Sequence, residues 1–214
     1  MEPNESAVAH NASVTRSLLL CGVLAGPFYL AVGLIQAFLR EGFELGRHPL
    51  SLLANGPGGW IQTANFVLTG LMVVAAAMGL GRVLGQKSRL VTWLLGSFGV
   101  SMLVAAIFRA DPVDGFPPGT PKGFPTSISA TGLVHFAAGA LGFTFLAISC
   151  FFAARALSRR NSMLALISLV SGLAVVLGFF GGLVLPLGIL GIWIAVVVGW
   201  AWLSIMSFRL NRLA

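Results

Sequence analysis

Charge is what this sequence has least of. Its 214 residues include 13 Lys and Arg and only 6 Asp and Glu, so that 9% are charged, where a soluble domain carries roughly 25%. With 57% hydrophobic residues and a mean hydropathy of +0.94, a water-soluble globule is excluded. Two cysteines cannot make a disulfide scaffold. Three histidines and six acids leave little for metal-dependent hydrolysis, which needs about three protein ligands and an open position, and no spacing matches a metal or haem signature. The 27 glycines are scattered through apolar runs, with no phosphate-loop or dinucleotide pattern among them. No nucleophile elbow surrounds Ser51. The net charge of +7 does not point to nucleic acid, because the cations stand between or beside the oily runs, where membrane topology explains them.

What is present is apolar length. Six candidate spans follow from runs of about 20 apolar residues punctuated by charge, Gly and Pro: 17–39, 61–81, 90–108, 130–154, 163–185 and 187–208. The runs are continuous rather than alternating, which excludes a barrel. The last two must be separate, since one helix over 163–208 would be about 69 Å long at 1.5 Å per residue; the reversal is placed near Pro186. The expected fold is all-α: a polytopic bundle of six transmembrane helices forming one domain over 17–208, with polar tails at 1–16 and 209–214. The run after Arg16 exceeds a signal-peptide core, so the first helix reads as uncleaved.

Positive residues set the orientation. Arg16, Arg82, Lys87, Arg89, Arg155, Arg159, Arg160, Arg209 and Arg212 fall on one side, and Arg40, Arg47, Arg109 and Lys122 on the other, which places both termini in the cytoplasm. Cys21 and Cys150 then lie in cytoplasmic halves of their helices as packing residues. The two long connections, 40–60 and 109–129, fall on the outer side, where function is expected, because long ordered loops are uncommon without one.

Strongly polar side chains gather at that same end. Gln62, Asn65 and Thr69 share a helical face, and Gln36, Arg109, Thr131 and His135 lie at similar depth, whereas the last two spans contain no ionisable residue. This predicts an outward-facing polar pocket within the first four helices and a scaffold role for the other two. Gly22 and Gly26, and Gly178 and Gly182, form GxxxG pairs suited to close helix contact. Gly132, His135, Gly139 and Gly142 share a face that turns His135 toward neighbouring helices. His135 can bond a backbone carbonyl or Asn65, contact a ligand or handle a proton, or ligate a metal. The trio on the second helix reads as a hydrogen-bonded seam, a pocket wall, or both.

The stretch RHPLSLLANGPGGW, residues 47–60, predicts one or two helical turns over Pro49–Ala54 lying at the membrane surface. Arg47 and His48 precede it, and cations there oppose the helix dipole unless an anion is near. Either Asp111 and Asp114 supply the anion and clamp the two loops together, or Arg47 and Arg109 recognise an anionic group of a lipid or ligand. Asp111-Pro112 and Asp114-Gly115 are also turn formers. FPPGTPKGFP reads as an extended segment, a lid or a plain connector.

Three blocks, GRHPLSLLANGPGGWIQTANFVLTGL, ADPVDGFPPGTP and LVHF, resemble in order and spacing the bacterial membrane family catalogued as domain of unknown function 998. The resemblance implies a compact multi-pass bundle and supplies no catalytic residues; function must be argued from a site.

The sequence thus describes a multi-pass protein of the bacterial inner membrane that binds an amphiphilic or anionic small molecule or a lipid through Arg47, His48, Asn65, Arg109, Asp111, Asp114 and His135. No cofactor, metal or nucleic acid is expected, and a partner membrane protein or a second copy could pack on the Gly faces. The alternatives are a membrane-embedded enzyme acting on a lipid or isoprenoid and, third, a transporter, for which the helix centres lack a charged relay. Topology is checked by a cysteine at Gly119, which should react with an impermeant thiol reagent added outside the cell; protection there would reverse the orientation.

Overall fold

The computed structural model describes residues 5–85, 88–123, 125–184 and 187–214. Its described residues form six long helices: α1 (Glu5–Leu39), α2 (Gly59–Leu84), α3 (Arg89–Ile107), α4 (Ala130–Leu157), α5 (Ser162–Val184) and α6 (Gly188–Asn211). All six are long and apolar enough to cross a bilayer. Large apolar side chains such as Leu24, Trp93, Ile107, Leu133 and Leu177 stand exposed around the bundle, the arrangement expected where the surrounding solvent is hydrocarbon. The chain is a multi-pass integral membrane protein.

The helix ends follow local chemistry. Ser129 caps α4, its side chain accepting from the Gly132 amide, and Asn161 Oδ1 accepts from the Leu164 amide at the start of α5. Gly85, at φ +80°, closes α2 with its amide on the Gly81 carbonyl. α1 begins at Glu5, so the polar residues ahead of the first apolar run are helical from there. Pro186, near which the reversal between the last two spans is expected, lies outside the described residues, as does Lys87.

Each helix packs against its chain neighbours, and α6 returns to α1, so the six close into a ring of alternating direction. Both chain termini lie at one end, tied by Asn211 Nδ2 donating to the Arg16 carbonyl; the two long connections lie at the other, the loop end. Hydrophobic gain drops out between helices already in lipid, so contact depends on small residues and hydrogen bonds. At Gly22 and Gly26 of α1 an added Cβ would stand 2.8 Å from Ala76 and Trp200 Cβ atoms respectively. Gly178 and Gly191 do the same for α5 and α6, each facing the other's backbone oxygen. Toward the terminal end the ring is filled by Leu19, Leu80, Leu95, Cys150, Leu203 and Met206. The buried Trp202 satisfies its Nε1 on Ser168 Oγ at 2.9 Å.

The seam between α1 and α2 is polar. Gln36 Nε2 donates to Gln62 Oε1 at 2.9 Å, Asn65 Nδ2 donates to the Tyr29 carbonyl at 3.1 Å and to Gln62 Oε1, and Thr69 Oγ1 donates to Asn65 Oδ1. The segment Leu50–Ala54 is a 3₁₀ turn. Leu50, Leu52, Leu53 and Ala54 are buried in the loop end of the ring, Leu50 against Gly33.

The α5/α6 crossing gives a direct test. Gly191→Val places carbon 2.5 Å from the Gly178 carbonyl oxygen, an overpacking that costs about 1–3 kcal/mol. Thermal unfolding in detergent should show a lowered Tm, whereas Gly46→Ala, whose new carbon meets nothing within 4 Å, should leave it unchanged.

Candidate functional site

The two long connections fold onto each other as a cap. Val113 and Phe116 exchange backbone hydrogen bonds at 3.1 and 3.0 Å, and Asp114 and Gly115 between them have φ of +49° and +89°. Two consecutive positive φ values are what an Asp-Gly pair provides in a tight reversal. The turn sends the Asp114 carboxylate to Arg47, which grips it with two bonds, Nε to Oδ2 at 3.0 Å and Nη2 to Oδ1 at 2.7 Å. Glu44 Oε1 takes Arg47 Nη1 at 3.2 Å. The Gly123 amide, followed by Arg47, holds the Asp114 carboxyl below its ordinary pKa, and Asp114 in turn raises that of Arg47. Both side chains are partly exposed, so the pair fixes geometry more than it adds stability.

His48 is buried behind this pair. The Glu44 amide donates to Nδ1 at 3.0 Å, so Nε2 carries the proton and donates to the Asp114 carbonyl at 3.1 Å. Its ring packs on Phe43 and Phe116, which meet edge to face at 5.1 Å. The Arg40 guanidinium lies 5.4 Å over the Phe116 ring and donates to the carbonyls of Leu53 and Asn55; partial burial lowers its pKa. Asn55 Nδ2 reaches the Ala110 carbonyl at 2.9 Å, and Trp193 Nε1 of α6 reaches the Leu45 carbonyl at 2.9 Å. The segment from Phe116 is therefore anchored to the first connection at its start, and its Phe124 lies outside the described residues.

Beneath the cap is a cavity of about 160 Å³, lined by side chains of all six helices and roofed by Pro49, Leu50 and Ser51. Its wall is aromatic: Trp200 packs on Tyr29 at 5.2 Å and on Phe98 at 5.6 Å, and Phe143 stacks on Phe179 at 4.5 Å. Among the described residues, His135 is its sole ionisable lining residue apart from the Tyr29 phenol. Nδ1 lies 2.8 Å from the Phe108 carbonyl, which can only accept, so Nδ1 carries the proton and Nε2 presents a lone pair. No protein donor among the described residues reaches that lone pair. At Gly139 an added Cβ would meet nothing within 4 Å, and Phe136, a lining residue that is 54% exposed, marks where the cavity reaches the flank of the bundle.

The expected site residues are thus divided. Arg47, His48 and Asp114 come together, in the cap. Asp111 does not join them: it accepts from the Ser129 amide and hydroxyl and sits against Gly132, buttressing the start of α4, where a carboxylate suits the helix dipole. Asn65 belongs to the α1/α2 seam and makes no bond to His135, whose ring instead meets Phe66 at 6.2 Å. Arg109 is exposed and pairs with no carboxylate among the described residues. Neither Arg47 nor Arg109 joins His135 in lining the cavity, and the cavity is not confined to the first four helices, because ring closure turns Trp193 and Trp200 of α6 inward. Those aromatics were visible as pairs seven residues apart, Phe136 with Phe143 and Trp193 with Trp200, a spacing that returns to one helical face.

Fold and site together define a polytopic membrane protein built as a closed six-helix ring with a capped, aromatic intramembrane cavity. Residues 23–209 match the family described as Protein of unknown function (DUF998). The chain belongs to that family. Neither a curated protein nor a solved structure matches it.

Because Asp114 titrates below the unperturbed 3.8, its contribution to the cap is complete above the ordinary carboxylate range, declines as pH falls through that range, and is gone below the folded-state value. Asp114→Asn should lower Tm at neutral pH and flatten the acid-side decline. Parallel Tm-versus-pH curves for the variant and the parent protein would refute the clamp.

Proposed function

We propose that the protein binds an amphiphile, inserting one end of the molecule into the aromatic cavity while the remainder lies along the flank of α4. The supporting observation is the pairing at one place of an unfilled face, Gly139, with an imidazole lone pair, His135 Nε2. A cavity of about 160 Å³ is comparable to the roughly 150 Å³ apolar cavity that admits benzene, so an isoprenoid unit, a ring or a chain end fits and a whole lipid does not. Since neutral Nε2 accepts, the ligand's polar group there is a hydroxyl or amide donor. A carboxylate or phosphate would enter without a cation, because neither Arg47 nor Arg109 lines the cavity.

A second reading is a membrane enzyme on the same ligand class, in which His135 Nε2 takes a proton; the Phe108 carbonyl that fixes the tautomer is the kind of contact that orients such a base. Transport ranks third, as the core toward the terminal end is filled. The cytoplasmic placement of the termini and residence in a bacterial inner membrane belong to this proposal.

Native mass spectrometry of the protein in mild detergent should reveal a bound amphiphile. Gly139→Leu, whose side chain has room to enter the cavity, should remove the adduct while preserving Tm. An adduct that survives this substitution, or none in the parent protein, defeats the binding reading; a chemically altered adduct that reverts to its precursor in His135→Ala favours the enzyme.

A further inference from the structure

A second groove lies at the terminal end, between the α4/α5 turn and the start of α3. It encloses about 600 Å³ and includes Arg155, Arg159 and Arg160 with Ser88 and the apolar Leu90 and Phe152. Arg155 stands in the last turn of α4, and the other two follow it in the turn. All three guanidinium groups are exposed, and none has a hydrogen bond or ion pair among the described residues. Glu41, Glu44, Asp111 and Asp114 lie at the opposite end, and neither ion pair among the described residues involves the cluster.

Three like charges held around one hollow repel one another, and the favourable dipole at the end of α4 accounts for only one of them. The start of α3 adds a second, independent feature. Ser88 is its N-terminal flanking residue yet makes no side-chain cap bond. It is 4% exposed and lines the groove. The first amides of α3 are thereby left without a side-chain acceptor. A helix start without a side-chain cap, a hydroxyl-bearing residue in the groove wall and forked guanidinium donors are the elements from which phosphate sites are made.

We propose that this groove binds the phosphate of an anionic phospholipid, with Arg155, Arg159 and Arg160 on the phosphate oxygens and Ser88 as an additional donor. A lipid, rather than free phosphate, is favoured by the apolar wall: Leu90 and Phe152 are 52% and 37% exposed, and they border the point where α3 and α4 leave their apolar spans. Phosphate contact sits where a headgroup lies, and the two side chains meet the acyl region.

The test is thermal unfolding of the detergent-solubilised protein with added phosphatidylglycerol, phosphatidylcholine or inorganic phosphate. Phosphatidylglycerol should raise Tm, and the other two should not. The triple variant Arg155→Gln/Arg159→Gln/Arg160→Gln should lose the shift, while Arg16→Gln/Arg209→Gln/Arg212→Gln, which removes equal charge from the same end, should keep it. Ser88→Ala, expected to fold even if the triple does not, should require about fivefold more lipid for the half-maximal shift, the effect of one lost hydrogen bond. Equal loss in both triple variants, no response to phosphatidylglycerol, an unchanged Ser88→Ala titration, or an equal response to inorganic phosphate would each overturn the proposal.

Discussion

Gly22 and Gly26 allow α6 to lie against α1, and that approach closes the ring from which every other feature follows. Six helices of alternating direction could also form a flat layer; contact between the first and last makes a cylinder with a centre. The centre then has to be filled or left open. Toward the chain termini it is filled by Leu, Met and Ala packed at contact distance. Toward the loops the facing residues are rings, and rings leave gaps that aliphatic side chains would close. The cavity is the consequence of closing a ring with planar side chains at one end.

Such a gap is stable only if its mouth is defined, and most of the polar chemistry at the loop end serves that purpose. The Arg47 to Asp114 pair, the two-ended His48 bridge and the Asn55 to Ala110 bond join the two connections, and Trp193 fastens the first of them to α6. Each terminates on a backbone or side-chain partner, so the buried loop backbone is satisfied where water is scarce. The 3₁₀ turn held beneath it is apolar on the inside, which roofs the cavity without placing a charge in it.

The spans were legible because apolar length is a one-dimensional property: the ends at Leu39 and Ala130 coincide in sequence and structure. The cap was half legible. Arg47 and His48 needed an anion, and Asp114 met that need, but nothing local separates Asp114 from Asp111, since both sit in turn-forming dipeptides. Only the path of the chain decides that one faces the first loop and the other the start of α4. The cavity was least legible. Polar residues in the first four spans suggested a polar pocket, yet Gln62, Asn65 and Thr69 are bonded to one another, to Gln36 and to the Tyr29 carbonyl in a seam, and the aromatics that do line the hollow look, in a membrane sequence, like any lipid-facing residue. Telling inward from outward rings requires knowing that the ring closes.

The distribution of charge relative to these hollows constrains what can bind in each. A guanidinium is permanently charged and a neutral imidazole is not, so a site lined by arginines at the edge of an apolar span selects anions, while a site lined by one imidazole acceptor selects donors. At the capped end Arg47 is held by carboxylates and Arg40 by carbonyls and a ring face, and neither these nor the exposed Arg109 lines the cavity. At the far end Arg155, Arg159 and Arg160 line their groove with no ion pair among the described residues. An anionic amphiphile would therefore meet no cation in the cavity lining to offset its desolvation, and a neutral one would gain nothing from the arginine groove beyond burial of its chain. On the two binding proposals, the hollows at opposite ends of the ring would select ligands of different charge.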